Sequence, residues 1–286
     1  LYRQFNQFFP RLQLAALSTW ADASLGGADE PYLLRVTLVR YLHETALGYG
    51  LEPDSSWLRN RPRAVTAFDP WRLPRRDAPR PFDFREADMQ RLRLPWDDSA
   101  ALAETESDLW TRRALAFHHL LRYLVGEEAY PKLVSEIFAW PGERAFTQRD
   151  LLALAQNHTS APLEAITRQW LGSAQPPAFE ALEARVFLDR EPGTRALLYT
   201  TEVKITNSGK GTWPVTATLF LDQDQVDRQV TLPSGETLDL TFQTRTRPQV
   251  FSLDAQAWIP QIPVFTSDKT KRDRRVLFLK SITDRT

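Results

Sequence analysis

Few residues in this sequence combine the types and the spacing that chemistry requires. His43 and Glu44 open the H-E-x-x-H pattern, in which two His one helical turn apart share a zinc and the Glu polarises its water. The fifth position is Leu47, so the pattern breaks. His118 and His119 are adjacent on an amphipathic segment and point about 100° apart on a helix, which suits a core or rim better than a shared metal. Asp222, Asp224 and Asp227 begin like a calcium loop but lack its central Gly and terminal Glu, so a solvated hairpin is expected there. Asn157-His158-Thr159 is a glycosylation sequon in form only. Arg75-Arg76 and the basic run 269–275 read as solvated loop charges. There is no G-x-S-x-G, no P-loop and no G-x-G-x-x-G, which leaves serine hydrolase and nucleotide chemistry without support. The absence of Cys excludes disulfides, a thiol nucleophile and Cys-ligated metals.

Those residues must be positioned by a chain of 286 residues, 42% hydrophobic and 11% aromatic with nine Trp. That length supplies buried area for one large domain or two ordinary ones. Its 36 basic and 36 acidic residues cancel, so no global field gathers nucleic acid or an anionic membrane. Thirty of the cations are Arg, a skew expected of a GC-rich bacterial genome. No apolar run approaches the ~20 residues of a spanning helix. The start at Leu1-Tyr2-Arg3, with neither Met nor a signal-like segment, is what a processed form or an excised piece of a longer protein would show.

The periodicity changes near the middle. From residue 1 to about 175 it is helical, with segments predicted at 32–48, 108–125, 130–139, 147–156 and 162–171. Thr147 and Asp150 form a capping-box pair, Ser160 and Pro162 mark a helix start, and Gly126 and Gly172 sit where helices stop. Seven Pro between Glu52 and Pro95 make that stretch a long connection, expected to wrap the helical domain. After Gln175-Pro176-Pro177 the pattern alternates, at 198–206, 215–221 and 238–242, with turn residues at 207–211, 222–224 and 233–235. Repetition at this spacing predicts an antiparallel sandwich of about seven short strands. The expected organisation is therefore α+β: an all-α domain over 1–175, with the Pro/Arg-rich connection at 52–95, and an all-β, immunoglobulin-like sandwich over 178–286.

The helical half also carries a resemblance. The stretch from Trp110 to Glu128 (WTRRALAFHHLLRYLVGEE) is similar to the segment "Y-x-K-G-x-x-x-x-x-x-L-x-x-x-L-G-x-E" of the M1 aminopeptidases, a gluzincin family. Residues 146–151 and 163–171 resemble that family's "t-x-x-D-L" and "f-f-x-x-W-L" helices, in the same order and spacing. Upstream, Tyr41-Leu42-His43-Glu44 with Tyr49 is similar to "W-L-x-E-G-x-A-x-Y", whose Glu is the third zinc ligand. Residues 203–209 and 247–254 look like the sandwich that follows the helical part in many such proteins. The resemblance covers most of residues 30–260 and implies a thermolysin-like helical domain.

The departures from the family pattern decide what is expected of function. Counting back from Glu44 by the family's interval places the H-E-x-x-H helix at Ala21-Asp22-Ala23-Ser24-Leu25, where neither His is present. The family's catalytic Tyr position is Trp110, and its Gly-x-Met-x-Asn strand is absent. A single carboxylate does not hold zinc, and without the metal nothing lowers the pKa of a bound water. Glu44 and Trp110 are thus degenerate positions, with no metal, no cofactor and no catalytic residue expected. The implied function is a pseudo-peptidase that binds a protein or peptide, in an arrangement that resembles the extracytoplasmic, periplasmic modules of bacterial ABC-2-type permeases. The second class is a zinc metallopeptidase fragment whose metal motif lies on an upstream segment or a partner. Trp57, Trp71 and Trp96 with Arg72, Arg75 and Arg76 are the candidate binding residues, because aromatics and Arg on loops dominate protein interfaces. No nucleic acid partner is expected.

Overall fold

A computed structural model describes residues 83–85, 87–88, 104–140, 146–173, 175–190, 196–255, 259–265 and 273–284. The chain is α+β and divides into two compact units, Leu1–Arg61 with Asp88–Ala174 and Pro62–Ala87 with Gln175–Thr286.

In the first unit the described helices are α1 (Glu104–Val125), α2 (Tyr130–Phe138), α3 (Gln148–Gln156) and α4 (Leu163–Thr167). The last continues as a π-helical turn over Arg168–Gly172. Phe117, Leu120, Leu121 and Leu124 recur at helical spacing on α1 and are buried, as are Leu133 and Ile137 of α2. Gly126 ends α1 with φ +91, a conformation that costs a residue with a Cβ. Thr147 opens α3 with the predicted capping box: its hydroxyl accepts from Asp150 N–H at 3.2 Å, and the Asp150 carboxylate accepts from Thr147 N–H at 3.0 Å. The predicted segment 32–48 lies outside the described residues.

The second unit holds eight described strands: β1 (Phe179–Arg190), β2 (Leu197–Asn207), β3 (Trp213–Phe220), β4 (Gln225–Leu232), β5 (Thr237–Thr244), β6 (Val250–Leu253), β7 (Val276–Phe278) and β8 (Ile282–Asp284). They form two four-stranded sheets in the orders β5-β2-β1-β8 and β4-β3-β6-β7. All neighbours are antiparallel except β1 and β8. The sheets meet in the core, where Phe242 of β5 and Phe251 of β6 lie edge to face with centroids 6.1 Å apart.

The segment entering β1 is tied down by the 207–211 turn. Asn207 Oδ1 accepts from Ala178 N–H and Gly209 N–H, both at 3.1 Å, while its Nδ2 donates to Gly211 and Leu232 carbonyls. The Trp213 indole donates to the Gln175 carbonyl at 3.1 Å.

Two expectations are corrected here. The 52–95 connection was expected to wrap the helices, yet its residues 83–85 belong with the strands: Phe84 N–H donates to the Gln261 carbonyl at 2.9 Å and its ring is fully buried. The apolar ring and the Asp83 carboxylate both find partners in that unit. The run 269–275 does not end in a solvated charge either, because Arg275 is 0% exposed. Its guanidinium lies between two carboxylates that a reading confined to neighbouring residues does not bring together.

Candidate functional site

Side chains alternate across a strand, so residues two apart share a face. On β1, β2 and β5 this places Glu183, Arg185, Glu202, Lys204, Asp239 and Thr241 around one open trough of about 350 Å³. The register sorts them into two rows, Glu183–Lys204–Asp239 and Arg185–Glu202–Thr241. Within each row, and along β1 and β2, the sign of charge alternates. The pairs are loose: Arg185 to Glu183 at 3.5 Å, Lys204 to Glu183 at 3.9 Å and Lys204 to Asp239 at 4.0 Å. Exposed pairs of this kind contribute about 0–1 kcal/mol each, so they place charge on the surface without committing it to stability. Chemically the trough can pair with charged groups of both signs. The alternation of Glu202 and Lys204 within an otherwise apolar–polar strand was the available sequence signal for this face, and sequence reasoning did not select it.

The buried charges have structural work. Arg275 donates to Asp83 through Nη1 at 2.7 Å and Nη2 at 2.9 Å, and to Asp273 through Nε at 2.8 Å and Nη2 at 2.6 Å. Burial alone would lower its pKa; hydrogen bonds and charge from Asp83, then Asp273, outweigh it and hold the group above its ordinary value. Beside this triad Gln261 Nε2 donates to Asp254 Oδ2 at 2.9 Å. In the helical unit Arg113 donates through Nη2 to the Leu171 carbonyl at 2.7 Å and to the Trp170 carbonyl, while the Trp170 indole donates back to the Arg113 carbonyl at 3.1 Å. Arg113 thus satisfies carbonyls of the closing π-helical turn. Burial pushes its pKa down to about 10, which still leaves a cation at neutral pH.

The weaker sequence motifs resolve structurally. His118 and His119 are both buried, and the His118 ring packs edge-on to Phe117. His158 Nε2 meets Glu136 at 3.0 Å. Asp227 accepts from Thr218 and Gln225, and Asp224 accepts from Gln225 N–H, as a surface hairpin would have it. Among the described residues no group of three or more His, Asp or Glu is placed to hold a metal. Nor, among them, is any helix long and apolar enough to cross a membrane. Glu44, Trp57, Trp71, Arg72, Arg75, Arg76 and Trp96 lie outside the described residues. Trp110 lies on α1.

No protein-family model matches the chain, and no curated protein does. Among solved structures it is similar to Legionella pneumophila aminopeptidase A, crystallised with aspartic acid, at 17% identity and a TM-score of 0.35. The match covers 54% of this chain and 17% of that one, so this chain spans a small part of that enzyme's length. A likeness this loose carries no argument about activity.

Proposed function

We propose that this chain is a non-catalytic, M1 aminopeptidase-like module that binds a protein or peptide partner, with the trough on β1, β2 and β5 as one contact face. The observation that carries the non-catalytic part is the histidine inventory. The four His, at 43, 118, 119 and 158, include no pair four residues apart, and the positions that would bear the metal helix read Ala21 to Leu25. A catalytic zinc takes three protein ligands, and the chain has no such set at the aligned positions. The binding part is supported by the two charge rows, whose loosely held Arg185 and Lys204 can exchange a neighbouring carboxylate for one on a partner. Trp57, Trp71 and Trp96 with Arg72, Arg75 and Arg76 are proposed as further anchors, since desolvated aromatics and Arg contribute most to interface energy. On this reading the chain serves an extracytoplasmic, ABC-type export assembly.

Selection of a displayed peptide library against the purified chain tests the reading. Selected peptides should bear acidic residues, and Arg185→Glu with Lys204→Glu should weaken their binding about 10-fold or more while leaving the fold intact. If these reversals have no effect and Trp71→Ala or Arg76→Glu abolishes binding, the trough is not the contact face. Peptides released with cleaved termini would contradict the non-catalytic assignment.

A further inference from the structure

A strand at the edge of a sheet presents a row of unpaired N–H and C=O groups, and proteins blunt such edges with short strands, Pro, Lys, bulges or inward-pointing charge. Three of the four edges of the described sheets are blunted. β7 and β8 are three residues each, and β4 carries Asp227-Arg228 and runs into Pro233. The Arg228 guanidinium folds inward over the Phe242 ring, 5.0 Å from its centroid.

β5 is the exception. Its eight residues pair with β2 in unbroken register, from Thr237↔Thr206 to Thr244↔Tyr199. Among the described residues its backbone makes no hydrogen bond beyond those to β2, so the far edge is an open template. The strand holds no Pro, no Lys or Arg and no bulge, and its one charge is Asp239. Leu238 stands 36% exposed beside it.

We infer that β5 pairs with β5 of a second copy of this chain, antiparallel about a two-fold axis at Leu240, joining two four-stranded sheets into one of eight. Paired residues must share a sheet face, which removes the odd registers. A two-fold at Asp239 would set two carboxylates directly opposite, which is unfavourable. A two-fold at Thr241 would leave Leu238 opposite Thr244. The axis at Leu240 instead sets Leu238 opposite Phe242, an aliphatic–aromatic pair, with Asp239 opposite Thr241 and Thr237 opposite Gln243. The charge row then runs Glu183, Lys204, Asp239 into Thr241, Glu202 and Arg185 of the second copy, with no like charges adjacent. A two-fold contact makes every such pair occur twice. The pairing shares Asp239 and Thr241 with the rim of the trough, but it is made by the backbone edge of β5, so reversal of Arg185 and Lys204 tests the partner binding proposed above and substitution of Thr241 tests the pairing.

Sedimentation equilibrium on the full chain is the test. The chain should show a concentration-dependent monomer–dimer equilibrium. Thr241→Lys puts a cation opposite Asp239 at two symmetric positions and should tighten it by several-fold, up to about 30-fold; Thr241→Asp should loosen it by a similar factor. Thr231→Lys, on the exposed face of β4, should leave it unchanged, and hydrogen exchange of the 237–244 amides should slow as concentration rises. A mass that stays monomeric into the millimolar range overturns the inference. So does a dimer indifferent to Thr241, or one that Thr241→Lys weakens.

Discussion

Arg275 concentrates the physics of this protein into one side chain. A guanidinium with no exposure is tolerable only because two carboxylates meet its fork, and removal of the cation leaves both carboxylates buried without it. Arg275→Met should therefore lower stability by about 3–5 kcal/mol. The pH dependence has a definite sign: the folded-state pKa lies above the ordinary guanidinium value, so the Arg contributes in full below that ordinary value and loses its contribution only as the pH rises through the raised one. The penalty measured by denaturant unfolding should be the same throughout about pH 6 to 9. A penalty under ~1 kcal/mol would show that water reaches the triad. The basic run 269–275 was legible as charge, but the burial of Arg275 was not. Its deciding partner, Asp83, lies 192 residues away, beyond any local pattern.

Elements were read most accurately where punctuation was local. The capping box at Thr147, the Gly126 stop and the alternation of β2, β3 and β5 each depend on residues within one turn or one strand, and the structure shows them as read. β1 was not marked, because FEALEARVFLDR is built from Glu, Ala, Leu and Arg, which favour helix, and its burial does not alternate cleanly. Pairing with β2 on one side and β8 on the other overrides that propensity. The face carrying Glu183 and Arg185 was hidden with it. The 207–211 turn was legible as a turn, though not as the anchor of the 175–178 entry. A Cβ on Gly209 would lie 2.3 Å from Ala178 N and 2.5 Å from Pro177 C, backbone atoms with no rotamer to yield. Gly209→Ala should therefore cost on the order of 2 kcal/mol or more, read as a lowered unfolding midpoint. An unchanged midpoint would mean that the entry segment shifts freely.

At the scale of the whole molecule, the strand-bearing unit is discontinuous in sequence. Residues 62–87 belong to it, and Phe84 fills its core with no exposure. Phe84→Ala in the full chain should destabilise that unit by about 3–5 kcal/mol. Hydrogen exchange should find the loss in β-unit amides; a loss confined to helical amides would contradict the assignment of Phe84. The periodicity changes from helical to alternating near 175, and the first described strand after it begins at Phe179, whereas Pro-rich composition said nothing about where residues 83–85 would pack. The proposed function rests on a feature of the sequence itself, four His with no pair four residues apart.

The most direct test of a non-catalytic, M1-like module is metal stoichiometry on the purified full chain, paired with hydrolysis of aminoacyl-amide substrates on the same sample. Elemental analysis should find well under one zinc per chain after exposure to excess zinc and desalting, with no chelator-sensitive hydrolysis. About one zinc per chain, together with hydrolysis abolished by a chelator and restored by the metal, would contradict the account and direct attention to His43 and Glu44.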